Sequence, residues 1–221
     1  MINSSIYDFF IQFLGIILCA FLLGRILLED IMPKLTSLRW FLAFSILITI
    51  IMFFMLQLST PQEYAHIYWF SQSISYLLEV AICIQLCKII LVDNWYITVM
   101  FVPVMFVSSL AVFIIYSFPK RLSDVVHPAY AYSMISGFML LIIWLVQDKF
   151  EGKLEKPYSV IAYGLTIFMA SRMVISYIMM YYNNKHWNII GRLEPLNEIV
   201  MILIWMLSLT IPIEEISNNR S

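Results

Sequence analysis

Charge is what this chain has least of. Only 12% of its 221 residues are Asp, Glu, Lys or Arg, whereas a soluble domain carries about 25%. With 62% hydrophobic residues, such a chain cannot clothe a water-facing surface of its own size. The formal net charge of −1 removes the basic footprint that a nucleic-acid partner requires. Glycine and proline are sparse, at 6 and 8 residues. Alternating segments of about 10 residues, the mark of a membrane β-barrel, do not occur. Long helices are the expectation. The three cysteines, Cys19, Cys83 and Cys87, all fall in apolar runs, where buried reduced thiols are expected rather than disulfides. Cys83 and Cys87 share a helix face, but two thiols make a poor metal site.

What is present is a series of apolar runs. A membrane-spanning helix needs about 20 mostly apolar residues, and seven segments qualify: 6–28, 38–58, 66–92, 96–116, 128–147, 159–182 and 196–212. Backbone polar groups cannot face lipid unpaired, so each must be helical. Turn-forming stretches mark the joints: MPKLTS, LSTPQE, VDN, FPKRLSD, QDKFEGKLEKP and NNKHWN. The first run has no basic residue ahead of it, carries Asp8 and lacks a small-x-small cleavage site, so a retained helix is expected rather than a signal peptide. The fold class expected is all-α, a single seven-transmembrane-helix bundle over residues 1–221. Its joints are too short to hold a soluble domain.

Lysine and arginine set the direction. With the N-terminus outside, the inner segments hold Arg25, Lys34, Arg39, Lys88, Lys149, Lys153, Lys156 and Arg220. The outer segments hold only Lys120, Arg121, Lys185 and Arg192, and Arg172 lies within a span. Positive residues favour the cytoplasmic side. The N-terminus is therefore expected outside and the C-terminus in the cytoplasm, in a bacterial inner membrane. Trp40, Trp69, Trp95 and Trp187 fall near the interfaces, as an aromatic belt would. Ala20-x-x-x-Gly24 and Ser133-x-x-x-Gly137 have the spacing that lets backbones approach closely.

Against this apolar ground the polar residues stand out. Within YWFSQSISYLLEVAICIQLCK, residues 68–88, Tyr68, Gln72, Ser75 and Cys83 fall within about 40° of Glu79 at 100° per residue. That is one stripe, and Gln85 lies off it without an evident partner. Glu79 is 13 residues from either end of its span, and Arg172 lies at similar depth in the sixth. A charge at mid-membrane costs about 2.5–3.5 kcal/mol even on the mild insertion scale, so these two are expected to meet, directly or through water. In the last span Glu194, Glu198, Met201 and Trp205 share a face, with Asn197 beside it, and Glu198 is an alternative partner for Arg172. The candidate seam is thus Glu79, Arg172, Gln72, Ser75, Tyr68, Glu198, Asn197 and Trp205. Trp205 could cap a cavity or simply pack.

Several chemistries lack their residues. No lysine occurs in 196–212, which excludes a retinal Schiff base there. No G-x-S-x-G or H-E-x-x-H motif is present, and no paired acids stand at helix-face spacing within the spans. Haem held within a membrane needs paired histidines inside the spans, but His66, His127 and His186 each belong to an outer joint. A metal or pH-sensing trio there is conceivable, though the spacing carries no such signature. Pro61-Gln62 lacks the surrounding pattern of PQ-loop carriers. No cofactor and no enzymatic activity are expected.

The stretch IYWFSQSISYLLEVAICIQLCKIIL resembles the third span of an uncharacterised family of small seven-helix membrane proteins abundant in acidobacterial genomes. VIAYGLTIFMASRMVIS is similar to their sixth span, and NEIVMILIWMLSL with Pro212-Ile213-Glu214 to their last. The resemblance implies the seven-helix fold and the acidic seam but no activity. Gln72 stands where that family has an acid, so a proton-carrying role at that position would be lost here. Three functions remain open: a bundle that binds a small ligand, lipid or partner membrane or signalling protein without an output domain of its own; a small transporter or proton path; and an assembly or structural subunit.

Overall fold

The computed structural model describes residues 2–30, 32–58, 60–90, 95–115, 126–149, 156–181 and 193–207. The expected span ends at Val92, Tyr116, Tyr182 and Pro212, with His186 and most joints, lie outside these. The described chain is all-helical, with seven helices: α1 (Ile2–Leu28), α2 (Thr36–Leu58), α3 (Pro61–Ile90), α4 (Trp95–Ile115), α5 (Val126–Lys149), α6 (Lys156–Tyr181) and α7 (Leu193–Leu207). Five of them, α1, α2, α3, α5 and α6, are long and apolar enough to cross a membrane. In α4 and α7 the described apolar stretches are shorter, Phe106–Ile115 and Pro195–Leu207. Large apolar side chains cover the outside, among them Phe54, Phe138, Leu141 and Val174, each more than half exposed. In water that surface would aggregate; in lipid it is solvated.

Six helices close a ring in the order α1, α2, α3, α5, α6, α7 and back to α1, with α4 lying outside against α3 and α5. Short joints make successive helices antiparallel. We call the end where α1, α3 and α7 begin the upper end and the opposite one the lower end. Across the ring, α3 and α6 approach each other little along their backbones. Long side chains are left to bridge that gap.

Two helix starts show why the elements begin where they do. α3 opens at Pro61 rather than near His66 because Thr60 and Glu63 form a capping box. The Thr60 backbone N–H donates to Glu63 Oε2 at 2.9 Å, and the Thr60 hydroxyl donates to the same oxygen at 2.8 Å. Glu63 N–H reaches back to Thr60 Oγ1 at 3.4 Å. Pro61 takes the first helical position, where its missing N–H costs nothing. Pro61-Gln62 is thus the first turn of a helix. At the lower end Gln85 of α3 caps α2: its Oε1 accepts from the Ser37 N–H at 3.0 Å and its Nε2 donates to Thr36 Oγ1 at 2.8 Å. The residue that lacked an evident partner in the sequence ties two helices together.

The lower half is packed and dry. Leu22, Ile26, Leu38, Leu42, Ile82, Cys83, Leu86 and Trp205 are fully buried there, and Cys87 nearly so. All three cysteines are buried and unbridged. The α1–α2 joint folds inward to plug this end, with Met32 and Leu35 buried. That inward fold takes Asp30 and Met32 through φ values of 44° and 57°, the left-handed region, which Asp enters more readily than most side chains and Met seldom does. Arg39 Nη2 donates to Asp30 Oδ1 at 2.8 Å and Arg25 Nη2 to Glu29 Oε2 at 2.7 Å, holding the rim.

The expected small-residue packing is corrected in part. A Cβ on Gly24 would meet nothing within 4 Å, so no neighbouring backbone uses that notch. A Cβ on Gly137 would touch only the Met173 sulfur, at 3.7 Å. The glycine that matters is Gly164, where a Cβ would lie 2.7 Å from the Trp205 ring. That bare backbone lets the indole lie against α6 and donate from Nε1 to the Ile161 carbonyl at 3.0 Å.

Candidate functional site

Glu79 of α3 and Arg172 of α6 meet across the ring. Arg172 Nη1 donates to Glu79 Oε2 at 2.6 Å, and Nη2 donates to Oε1 at 2.9 Å. Both residues are nearly inaccessible, at 1% and 4% exposure. This is the two-pronged geometry in which guanidinium and carboxylate match best. Two aromatic faces complete the enclosure: the guanidinium carbon lies 4.0 Å from the Phe168 ring centroid and 4.9 Å from that of Tyr76. Tyr76 in turn packs against Tyr132 of α5 at 5.0 Å, and the Tyr132 hydroxyl donates to the Ser109 carbonyl of α4 at 2.9 Å. The charge pair therefore sits at the head of a chain of rings that reaches the outermost helix.

Above this pair the ring is hollow. A cavity of about 190 Å³ occupies the upper half, walled by α1, α2, α3, α6 and α7. Arg172 forms part of its floor, so one guanidinium belongs both to the ion pair and to the cavity surface. Gln12, Ser45, Thr49, Tyr64, Tyr68, Ser71, Gln72 and Glu198 supply polar groups to the wall, with Cys19, Ile48 and Ile202 among the apolar ones. Several hydroxyls are turned back onto their own helices, Thr49 onto the Ser45 carbonyl and Ser71 onto that of Tyr68, each at 2.7 Å. That local bonding satisfies them in an apolar setting yet leaves their oxygens able to accept. Tyr64 and Tyr68 stack along the wall with centroids 6.3 Å apart.

The eight residues picked out by the sequence divide accordingly. Tyr68, Gln72, Arg172 and Glu198 line the cavity, and Glu79 holds Arg172 from below. Arg172 clasps Glu79 with both terminal nitrogens; Glu198 stands on the same cavity wall as Arg172. Ser75, Asn197 and Trp205 are absent from the lining. Ser75 lies nearly one turn further down α3 than Gln72, the lowest α3 residue of the lining. Asn197 is nine-tenths buried and donates from Nδ2 to the Phe168 carbonyl at 3.0 Å, fastening α7 to α6 one turn below Arg172. Trp205 packs rather than capping a cavity, fully buried with its edge toward Phe41 at 5.9 Å. The polar lining residues that sequence reasoning missed are Gln12 of α1, Ser45 and Thr49 of α2, and Tyr64 and Ser71 of α3. Those of α1 and α2 are single polar residues in apolar runs, a signal too weak to read singly.

Among the described residues no cluster of three or more histidine, cysteine or acidic side chains could hold a metal ion. The chain matches no family model, no curated protein and no solved structure. Fold and site therefore rest on the helices and the cavity themselves: an all-helical bundle with the character of an integral membrane protein, hollow and polar in one half and sealed in the other.

Proposed function

We propose that this protein is a non-enzymatic binding protein of a bacterial inner membrane, spanning it seven times with its N-terminus outside. On this reading the upper cavity receives a small or lipid-like ligand from the outer side. The single observation that carries the proposal is the cavity floored by Arg172, a polar chamber inside an otherwise apolar bundle. At about 190 Å³ it exceeds the ~150 Å³ apolar cavity that accepts a benzene ring. With no output domain in the described bundle, a signal would pass to a partner membrane or signalling protein. Kinship with the small seven-helix proteins of acidobacterial genomes forms part of the same proposal.

Transport ranks below binding because the path stops at Glu79. Beneath it, Val80, Cys83, Leu86 and Cys87 are all buried in continuous apolar packing. The test is cysteine accessibility at Gln72→Cys in intact cells, read with a membrane-impermeant maleimide. We expect labelling from the outside, blocked by a fraction of a lipid or metabolite extract. Labelling only in inverted vesicles would overturn the topology. Labelling at Gln72→Cys and equally at Leu86→Cys would reinstate the transport reading.

A further inference from the structure

A second hollow adjoins the first. Between α1 and α2, a groove of about 240 Å³ is walled by Phe13, Ile50, Phe53 and Phe54, on the outward surface of the ring. Its remaining walls, Gln12, Ile16 and Thr49, are also walls of the polar cavity. The two spaces therefore share these three side chains as a common wall. Phe13, Ile50 and Phe54 are all more than two-fifths exposed, so the groove opens sideways between two helices that face lipid.

Resting on the binding role proposed above, we infer that the occupant is a single-chain amphiphile with an uncharged hydroxylated head, of the monoacylglycerol kind. The head sits in the polar cavity and the alkyl chain lies out through the α1–α2 groove. Three observations select this class. Each hollow alone is smaller than the ~300–1,000 Å³ of a typical ligand site, while together they enter that range. Their chemistries are complementary and ordered: amides, hydroxyls and phenols inside, phenylalanine and isoleucine outside. The head is uncharged because the Glu79 carboxylate, bonded to the guanidinium at 2.6 and 2.9 Å, already balances the one positive charge at the floor, and the Glu198 carboxylate stands on the same wall. Amide and hydroxyl groups such as Gln12 and Gln72 remain as the donors and acceptors a glycerol head would use.

The experiment is photolabelling of the purified full chain in dodecyl maltoside micelles, with a monoacylglycerol carrying a diazirine in mid-chain. Adducts are expected at residues 13–16 and 50–54, falling at least fivefold when 1-oleoylglycerol is added in excess and little when oleate is added. Ile50→Trp, which fills the groove, should lose labelling at least fivefold with its unfolding temperature unchanged; should it fold poorly, Ile50→Phe serves. Adducts spread evenly over lipid-facing positions such as Phe138 and Leu141 would overturn the groove assignment. Equal competition by oleate would overturn the uncharged head. Failure here is separable from failure of the binding role. If glycerol protects Gln72→Cys from maleimide while the probe misses the groove, the chamber binds without a tail; if neither occurs, both readings fall.

Discussion

The upper and lower halves of this bundle are built from the same helices and obey different rules. Below Glu79, side chains interlock to near-zero exposure, and polar groups there serve as fasteners, as Gln85 does at the start of α2 and the Trp205 indole does on α6. Above Arg172, the same helices stand apart around a chamber, and Gln12, Tyr64, Gln72 and Glu198 are among the polar residues that line it. The lower half is organised for stability and the upper half for occupancy. Substitutions should separate along that line.

The largest effect is expected at the boundary. Glu79→Gln leaves the Arg172 guanidinium buried without its counter-charge and should destabilise the bundle by about 3–5 kcal/mol in a denaturant titration of the micellar protein. Arg172→Gln alone should cost a similar amount. Combining Glu79→Gln with Arg172→Gln should cost clearly less than the two singles added. Simple additivity would mean that the pair contributes nothing as a pair.

Next comes Gly164→Ala in the packed half. The new methyl would meet the Trp205 ring, and overpacking of this kind costs about 1–3 kcal/mol. Gly24→Ala, where a Cβ meets nothing, should not lower the unfolding midpoint and should raise it slightly, since Ala is favoured over Gly by about 0.5–1 kcal/mol in a helix interior. Equal effects at the two glycines would contradict the packing described. Gln85→Ala removes the cap on α2 and should cost about 1 kcal/mol.

The smallest effects belong to the hollow half. Gln72→Leu should change stability by no more than about 0.5 kcal/mol, because it fills a chamber wall rather than breaking a joint. A loss comparable to that of Glu79→Gln would erase the distinction between halves. At the upper rim, hydrogen bonds from the Thr60 backbone and hydroxyl hold the Glu63 carboxyl below its usual range. A carboxylate depressed in this way adds stability above the ordinary carboxylate range and loses it as pH falls through the folded-state value. Acid should therefore fray the first turn of α3, seen as faster amide exchange at Tyr64, and Glu63→Gln should remove that dependence.

Much of this was legible beforehand, for one physical reason. Lipid allows so few solutions that long apolar runs dictate helices, and a charge inside a run dictates a partner. Glu79 and Arg172 could be matched by depth alone. What escaped the sequence was whatever depends on how helices lean. Thr60 and Glu63 spell a capping box that extends α3 by five residues, yet Pro61 between them reads as a break. Gln85 looked orphaned because its partners, Thr36 and Ser37, belong to another helix. Ser75 and Trp205 lie further along their helices than the chamber reaches, since periodicity gives direction and not how deep a cavity extends. The expected notch at Gly24 failed on the same ground: spacing licenses close approach but cannot summon a neighbour.

The Arg172 guanidinium is floor to one compartment and clasp to two helices. A solute resting on it would alter the strength with which α3 holds α6, and by reciprocity any force that loosens those helices would alter how firmly the solute is kept. Filling the chamber and tightening the bundle would then be a single equilibrium read from two ends, and a protein docked against the outside of either helix could sense the contents without ever touching them.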